Sequence, residues 1–164
     1  QGKDTIKEIL LNTSNCLLWI EENVLKLMNQ GSTLRNIQDK ITLPEEFNQP
    51  YLVSSYDDFS FLINSVWRQY GGWYSGIPSE LKPPSLFDMG SAYIDMAGGK
   101  ENLLMFLQSL LAENKYKEAS VLIDSISAVE PVFYRDIKNE IYSFLADHES
   151  SLMAKGIYNF NLDT

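Results

Sequence analysis

The sequence of 164 residues has one cysteine, one histidine and fewer basic than acidic side chains. Because Cys16 is alone, an internal disulfide is excluded, and with His148 as the single histidine a zinc site of cysteine and histidine ligands cannot form. The net charge of -9 repels nucleic-acid phosphates and anionic membranes. No run of about 18 apolar residues is present, so no bilayer-spanning helix is predicted. We therefore expect neither a nucleic-acid nor a membrane partner.

The composition that remains is that of a folded domain. Apolar residues make up 45% of the chain and aromatic residues 12%, which is enough for a sizeable core at this length. A single domain spanning residues 1–164 is predicted. Because the chain starts at Gln1 and not at methionine, we expect it to be processed or to belong to a longer protein. For the same reason no localisation is predicted.

The apolar residues recur at steps of three and four, which predicts helices, and strand-like alternation is nowhere sustained. The first helix is predicted over residues 4–29, with a possible break at 12–15. Ser32 or Thr33, Asp57 or Asp58, and Ser85 are candidate caps of the next three. The sequence thus predicts an all-α array of about seven helices. The later ones cover 102–113, 116–129 and 133–145, and a last short one starts near Ser150.

Residues 110–131 resemble the second half of a tetratricopeptide repeat. Asn114 would form the turn, Ala119 would allow two helices to approach closely, and Pro131 would end the hairpin. One such hairpin is too little for a solenoid, which needs about three repeats. An alternative function follows from this hairpin: a free-standing interaction module that binds a peptide or a partner helix.

Side chains that could perform catalysis do not form a recognisable set. Adjacent carboxylates on a helix point in different directions, so each acidic pair is interpreted as a solvated face or a helix cap. His148 lies near a helix end, where it caps carbonyl groups, and Cys16 lies on an apolar helix with no cation nearby. Gly98-Gly99-Lys100 lacks the spacing of a phosphate loop. No catalytic residue and no metal ligand is predicted.

One aromatic segment allows more than one interpretation. The stretch WRQYGGWYSGIPSELKPP covers residues 67–84 and runs from a helix end into a glycine and proline bend. Aromatic side chains in such a series pack in a core, form subunit contacts or line apolar pockets. The aromatic series also includes Phe59 and Phe61 just before this stretch, and the candidates are Phe61, Trp67, Tyr70, Trp73 and Tyr74.

The segment VWRQYGGWYSGIP, residues 66–78, resembles the VYxRYLGWYDGNP segment of the alkyl-sulfatase dimerisation domain. Residues 25–47 are similar to the family's LRLxNQGLTxDEIAExxxLP. Further landmarks follow in the same order at 96–100, 114–131 and 158–160. This domain follows a zinc hydrolase domain in alkylsulfatases of the metallo-β-lactamase superfamily. The resemblance covers nearly the whole chain.

The resemblance implies a helical domain that intertwines two subunits and stands over the active site of its own N-terminal hydrolase domain. The His-x-His-x-Asp-His zinc motif of that domain does not occur in these 164 residues. Zinc is therefore expected in the N-terminal domain, and no cofactor is expected in this chain. The implied function is non-catalytic: dimerisation, and lining the substrate pocket of an alkylsulfatase-like hydrolase.

The same resemblance assigns roles to individual positions. Phe61 and Leu62 stand where the family has a histidine and an asparagine near the bound sulfate. A phenyl ring can neither donate a hydrogen bond to sulfate nor move a proton. Trp73 matches the family's aromatic residue on the substrate side, and Tyr74 is expected beside it at the pocket edge. Trp67 and Tyr70 are expected in the core or the dimer contact. Sulfate-ester specificity is thus expected to differ.

Overall fold

The computed structural model describes residues 2–160 and residue 162, and within them the chain folds into α-helices and two 3-10 turns without β-strands. The all-α prediction is confirmed, with eight α-helices in the described residues where about seven were expected. None of the helices in this part of the chain is long and apolar enough to cross a bilayer. The helices are α1 Lys3–Asn29, α2 Leu34–Lys40, α3 Phe59–Gly71, α4 Leu86–Met96, α5 Lys100–Ala112, α6 Tyr116–Ile126, α7 Arg135–Asp147 and α8 Leu152–Phe160.

The chain divides into two compact units, Gln1–Lys82 and Pro83–Thr164, each with its own core. In the first unit, α1, α2 and α3 pack against one another. Their shared core is a cluster of seven buried residues, namely Cys16, Ile20, Val24, Ile37, Ile41, Ile63 and Trp67. That the chain is a single domain stays a prediction.

Local hydrogen bonds identify the helix N-caps of the first unit. The Thr33 side chain accepts the backbone N–H of Asn36, and the Asp58 side chain accepts that of Ser60, so one of the two candidates at each helix start becomes the cap. The break suspected at residues 12–15 does not occur, because α1 is continuous. Thr13 donates its hydroxyl to the Ile9 carbonyl, a bond that satisfies this polar side chain within the helix.

The second unit packs α6 against α4, α5 and α7, and α8 against α7. Gly90 of α4 lies against the backbone of Ser125 in α6, where a β-carbon would come within 2.3 Å of the carbonyl oxygen. Only glycine permits this approach. The α5–α6 turn has Asn114 in the left-handed region at φ 58°. The α5–α6 hairpin was expected, but its likeness to a tetratricopeptide repeat is not confirmed.

Three side-chain rings stack near the C-terminal end of α7. Tyr116 and Phe144 stack with ring centroids 3.5 Å apart, and His148 stacks on the other side of Phe144 at 3.8 Å. His148 also shares a hydrogen bond of 2.8 Å with the Phe144 carbonyl at the end of α7. The single histidine therefore sits at a helix C-terminus, where the same Phe144 carbonyl also accepts the His148 backbone N–H at 3.1 Å.

Candidate functional site

The aromatic segment is shaped by a glycine that reverses the chain at the end of α3. Gly72 has φ 78° and ψ -147°, a backbone conformation that residues with a β-carbon rarely adopt. The reversal brings residue 74 back over α3, where Trp67 donates its indole N–H to the Tyr74 carbonyl at 2.9 Å. A buried indole thus fixes the path of the segment that follows it.

The same segment is tied to the start of α2. The Leu34 backbone N–H donates to the Ser75 carbonyl at 2.9 Å, and Arg35 forms an ion pair of 2.7 Å with Glu80. Gly76, at φ 88°, lies so close to Thr33 that a β-carbon would come within 3.2 Å of its backbone. These contacts hold residues 74–80 against the start of α2.

The five candidate aromatics occupy different environments. Trp67 is buried in the core, while Tyr70 is exposed and donates its hydroxyl to the Glu21 carboxylate. Trp73 is 75% exposed and meets the half-buried Tyr74 edge-on, with centroids 6.1 Å apart. Phe61 is half-buried on α3. The Trp73 side chain therefore points outward, while the neighbouring residues Trp67 and Tyr74 are held by the contacts described above.

A cleft of about 410 Å³ opens beside Trp73. Its lining combines two indole rings with a guanidinium and a carboxamide, and consists of Leu34, Asn64, Trp67, Arg68, Gly72 and Trp73. The side-chain carbonyl oxygen of Asn64 accepts a hydrogen bond of 2.9 Å from the side-chain amide of Gln38, which orients the Asn64 side chain. Neither Phe61 nor Tyr74 lines this cleft. The arrangement suits an apolar group with a polar or anionic end.

Asn64 and Arg68 were not singled out from the sequence. Their signal was a spacing of four residues on α3, which places both on one face just before the glycine bend. Trp67 and Trp73 were candidates from the sequence, but Leu34 could not be anticipated, because it reaches the cleft from α2 through contacts distant in sequence.

A second, more apolar cleft of about 270 Å³ lies between α1 and residues 51–62. Leu62, which stands where the resembling family has asparagine, lines it together with Cys16 and Ile20. Burial raises the pKa of the Cys16 thiol, so this cysteine stays protonated and is a poor nucleophile. At position 62 the wall of this cleft is apolar.

No metal or acid–base centre is found in the described parts of the chain. Across residues 2–160 and residue 162, no three His, Cys, Asp or Glu side chains gather into a group able to hold a metal ion. Of the acidic pairs, Asp58 caps α3, and Glu45 and Glu46 form the first turn of a 3-10 helix. The geometry of the described residues supports packing and ligand contact.

One departure from the family pattern has a local reason. Gly71 stands where the family has leucine, and a β-carbon at this position would meet the end of the Met28 side chain at 2.8 Å. Met28 of α1 therefore fills the space that a larger residue at position 71 would need.

The fold defines an all-helical domain. The model of the alkyl sulfatase dimerisation family matches residues 33–163, and the chain belongs to that family. Among curated relatives, an (R)-specific secondary-alkylsulfatase of Pseudomonas sp. is 27% identical over 132 residues, which are 79% of this chain and 20% of the relative. An alkyl/aryl-sulfatase of Saccharomyces cerevisiae is 22% identical over 131 residues, again 79% and 20%.

A solved structure has the same fold. The stereoselective inverting sec-alkylsulfatase Pisa1 from Pseudomonas sp. superposes with a TM-score of 0.87 at 24% identity, covering 96% of this chain and 25% of that one. The chain spans about a fifth of the length of the curated relatives that it matches. It therefore corresponds to one part of much longer alkylsulfatases.

Proposed function

We propose that this chain is the dimerisation and pocket-lining domain of a larger alkylsulfatase-like hydrolase. The observation that carries the proposal is the family match over residues 33–163, in a chain that spans about 20% of its alkylsulfatase relatives. In this proposal a preceding hydrolase domain of the metallo-β-lactamase type holds zinc, which activates water for cleavage of the ester. The helical chain contributes the contact between two subunits and an apolar wall.

The aromatic segment is the part of the chain proposed to face the substrate. Trp73 is outward-facing, and its cleft carries Arg68, the guanidinium of which matches an anionic head group. Tyr74 packs against the Trp73 ring and supports its position. Together they would contact the apolar part of an ester next to its charged end.

Phe61 and Leu62 support a narrower proposal about specificity. They replace a histidine and an asparagine that the resembling family places near the sulfate, and neither can hydrogen-bond an anion. We therefore expect weak hydrolysis of plain alkyl sulfates by the longer protein. The test is zinc-dependent release of sulfate from dodecyl sulfate, and robust turnover would overturn the altered specificity. A Phe61→His/Leu62→Asn variant, expected to raise the rate, is the matched comparison.

The dimer itself is tested by sedimentation velocity on the 164-residue chain from about 1 to 200 µM. A dimer across this range is expected, because obligate interfaces bury more than about 2,000 Å². A clean monomer at the highest concentration would overturn the dimer proposal. The reading frame that encodes the chain offers a second check, since an upstream His-x-His-x-Asp-His within a few hundred residues is expected for the hydrolase.

A further inference from the structure

The long helix α1 is apolar on two sides. One side carries Cys16, Ile20 and Val24 into the core of the first unit. The other carries four leucines that are about half or more exposed: Leu10 at 65%, Leu11 at 51%, Leu17 at 48% and Leu18 at 52%. A helix with apolar residues on both sides is normally covered on both, and a cluster of exposed leucines marks an interaction surface. We call these four residues the leucine face.

The leucine face is symmetric about Ser14. At about 100° per residue, Ser14 lies midway between a row formed by Leu10 and Leu17 and a row formed by Leu11 and Leu18. Leu10 and Leu18 are each four positions from Ser14, and Leu11 and Leu17 are each three positions from it. A two-fold axis through Ser14 would therefore place leucine against leucine along both rows. Self-complementarity of this kind is the requirement of an isologous dimer contact.

The charges on this face select the orientation of the partner. Lys7 and Glu21 lie seven positions before and after Ser14, on the line that runs between the two leucine rows. In an antiparallel pair, Lys7 of one copy meets Glu21 of the other, twice. In a parallel pair, Lys7 would meet Lys7 and Glu21 would meet Glu21, which is repulsive. Glu21 also accepts the Tyr70 hydroxyl, which holds its carboxylate and sets the exposed Tyr70 beside this line.

We infer that α1 packs against α1 of a second copy, antiparallel, across a two-fold axis at Ser14. This inference rests on the proposed dimer and assigns a surface to it. The small Ser14 side chain allows the helix axes to approach to about 8–10 Å at the crossing point. α1 precedes the segment matched by the family model, which begins at residue 33, so this contact is additional to the matched region.

Crosslinking at the axis tests the geometry. A Ser14→Cys variant in a Cys16→Ala background is oxidised with copper phenanthroline in air and analysed on a non-reducing gel. Because the two copies of residue 14 face each other, most of the chain is expected as a disulfide-linked dimer within minutes. The matched control is Lys26→Cys in the same background. Lys26 is also exposed on α1, but its two copies would be about 36 Å apart, far beyond the roughly 7 Å reach of a disulfide.

A charge exchange tests the orientation. Lys7→Glu and Glu21→Lys are each expected to weaken the dimer about tenfold in Kd, and the double variant is expected to restore it. Tyr70→Phe measures how much the loss of the hydroxyl bond to Glu21 alone changes the dimer Kd. Readout is the dimer Kd by sedimentation.

The outcomes separate this inference from the dimer proposal. A dimer that resists crosslinking at Ser14→Cys and ignores the charge exchange would overturn the α1 contact and leave the dimer proposal standing. In that case the leucine face is free for another domain. Equal crosslinking at Ser14→Cys and Lys26→Cys would indicate random collision and would also overturn the contact. A monomer at all concentrations would overturn both.

Discussion

The two units of the chain bury their apolar side chains to different extents. In the described part of residues 83–164, eleven buried core residues come from α5, α6, α7 and the residue before α7, and α6 is packed by three neighbours. The described part of residues 1–82 encloses seven, and its longest helix leaves both rows of the leucine face exposed. Both units leave large apolar side chains exposed, among them Met96 at 80% in the second unit, but in the first unit four of them lie together as the leucine face of α1. Because the leucine face and the cleft beside Trp73 both lie in the first unit, we expect function to concentrate there.

Gly90 offers the strongest way to break the second unit. A β-carbon there would overlap the Ser125 carbonyl, which belongs to backbone and cannot move aside. Gly90→Ala is expected to cost about 3 kcal/mol of unfolding free energy by forcing α4 from α6. The measurement is urea denaturation followed by circular dichroism.

Gly156 in α8 is the matched control for this substitution. A β-carbon at Gly156 meets nothing within 4 Å, so Gly156→Ala is expected to be neutral or to stabilise by about 0.5 kcal/mol. Equal losses from both variants would show that the α4–α6 approach does not limit stability.

Tyr134 provides a pH-dependent test of the same core. Burial, followed by the nearby charges of Glu101 and Glu130, raises the pKa of Tyr134 from 10.0 to about 12. The folded state therefore holds this proton more tightly than the unfolded chain does. The resulting stability is complete below about pH 10 and is lost as the pH rises to about 12, by roughly 2 kcal/mol.

Tyr134→Phe separates this effect from simple packing. The variant loses the hydroxyl bond of 3.0 Å to the Lys100 carbonyl, so a constant loss of about 1 kcal/mol is expected at pH 8. Its decline between pH 10 and 12 is expected to be shallower than that of the parent chain. Equal slopes in urea melts at pH 9, 10, 11 and 12 would argue against Tyr134 as the source.

Trp67 tests whether the first unit holds its aromatic segment through one buried indole. Trp67→Phe keeps a ring in the core but removes the N–H that bonds the Tyr74 carbonyl at 2.9 Å. A loss of about 1 to 2 kcal/mol is expected. Hydrogen exchange of residues 72–78 is expected to quicken at the same time. Trp73→Phe, at an exposed position, is the control and is expected to leave stability nearly unchanged.

Much of the helical framework could be predicted from local chemistry. The recurrence of apolar residues at steps of three and four predicted the helices. Thr33, Asp58 and Ser85 were among the predicted caps, because a short polar side chain preceded each apolar run. The end of α6 was predicted at 129 but occurs at Ile126, since residues 127–129 continue only as turns. Local propensity distinguishes a last helical turn from such a turn poorly.

Contacts between elements distant in sequence could not be predicted. Gly90 was part of a predicted helix, and nothing local marked it as the point where Ser125 approaches. The same holds for Arg68, whose cleft includes Leu34 from another helix. The roles of Phe61, Trp73 and Tyr74 in a substrate pocket came from family resemblance and stay predictions, because the pocket would be completed by residues beyond this chain.

The smallest expected effect compares one surface ion pair in each unit. Arg35–Glu80 in the first unit is open to water, with side chains 67% and 34% exposed, so Arg35→Gln is expected to cost about 0.5 kcal/mol. Lys100–Glu130 in the second unit is 35% and 41% exposed, and the Lys100 ammonium also lies 4.8 Å from the centre of the Phe133 ring. Lys100→Gln is expected to cost about 1 kcal/mol, because the cation–π contact is lost with the ion pair. Urea melts at 0.05 and 1 M NaCl check this: salt should remove most of the Arg35 effect and less of the Lys100 effect. A larger loss from Arg35→Gln than from Lys100→Gln would contradict this ranking of the two ion pairs.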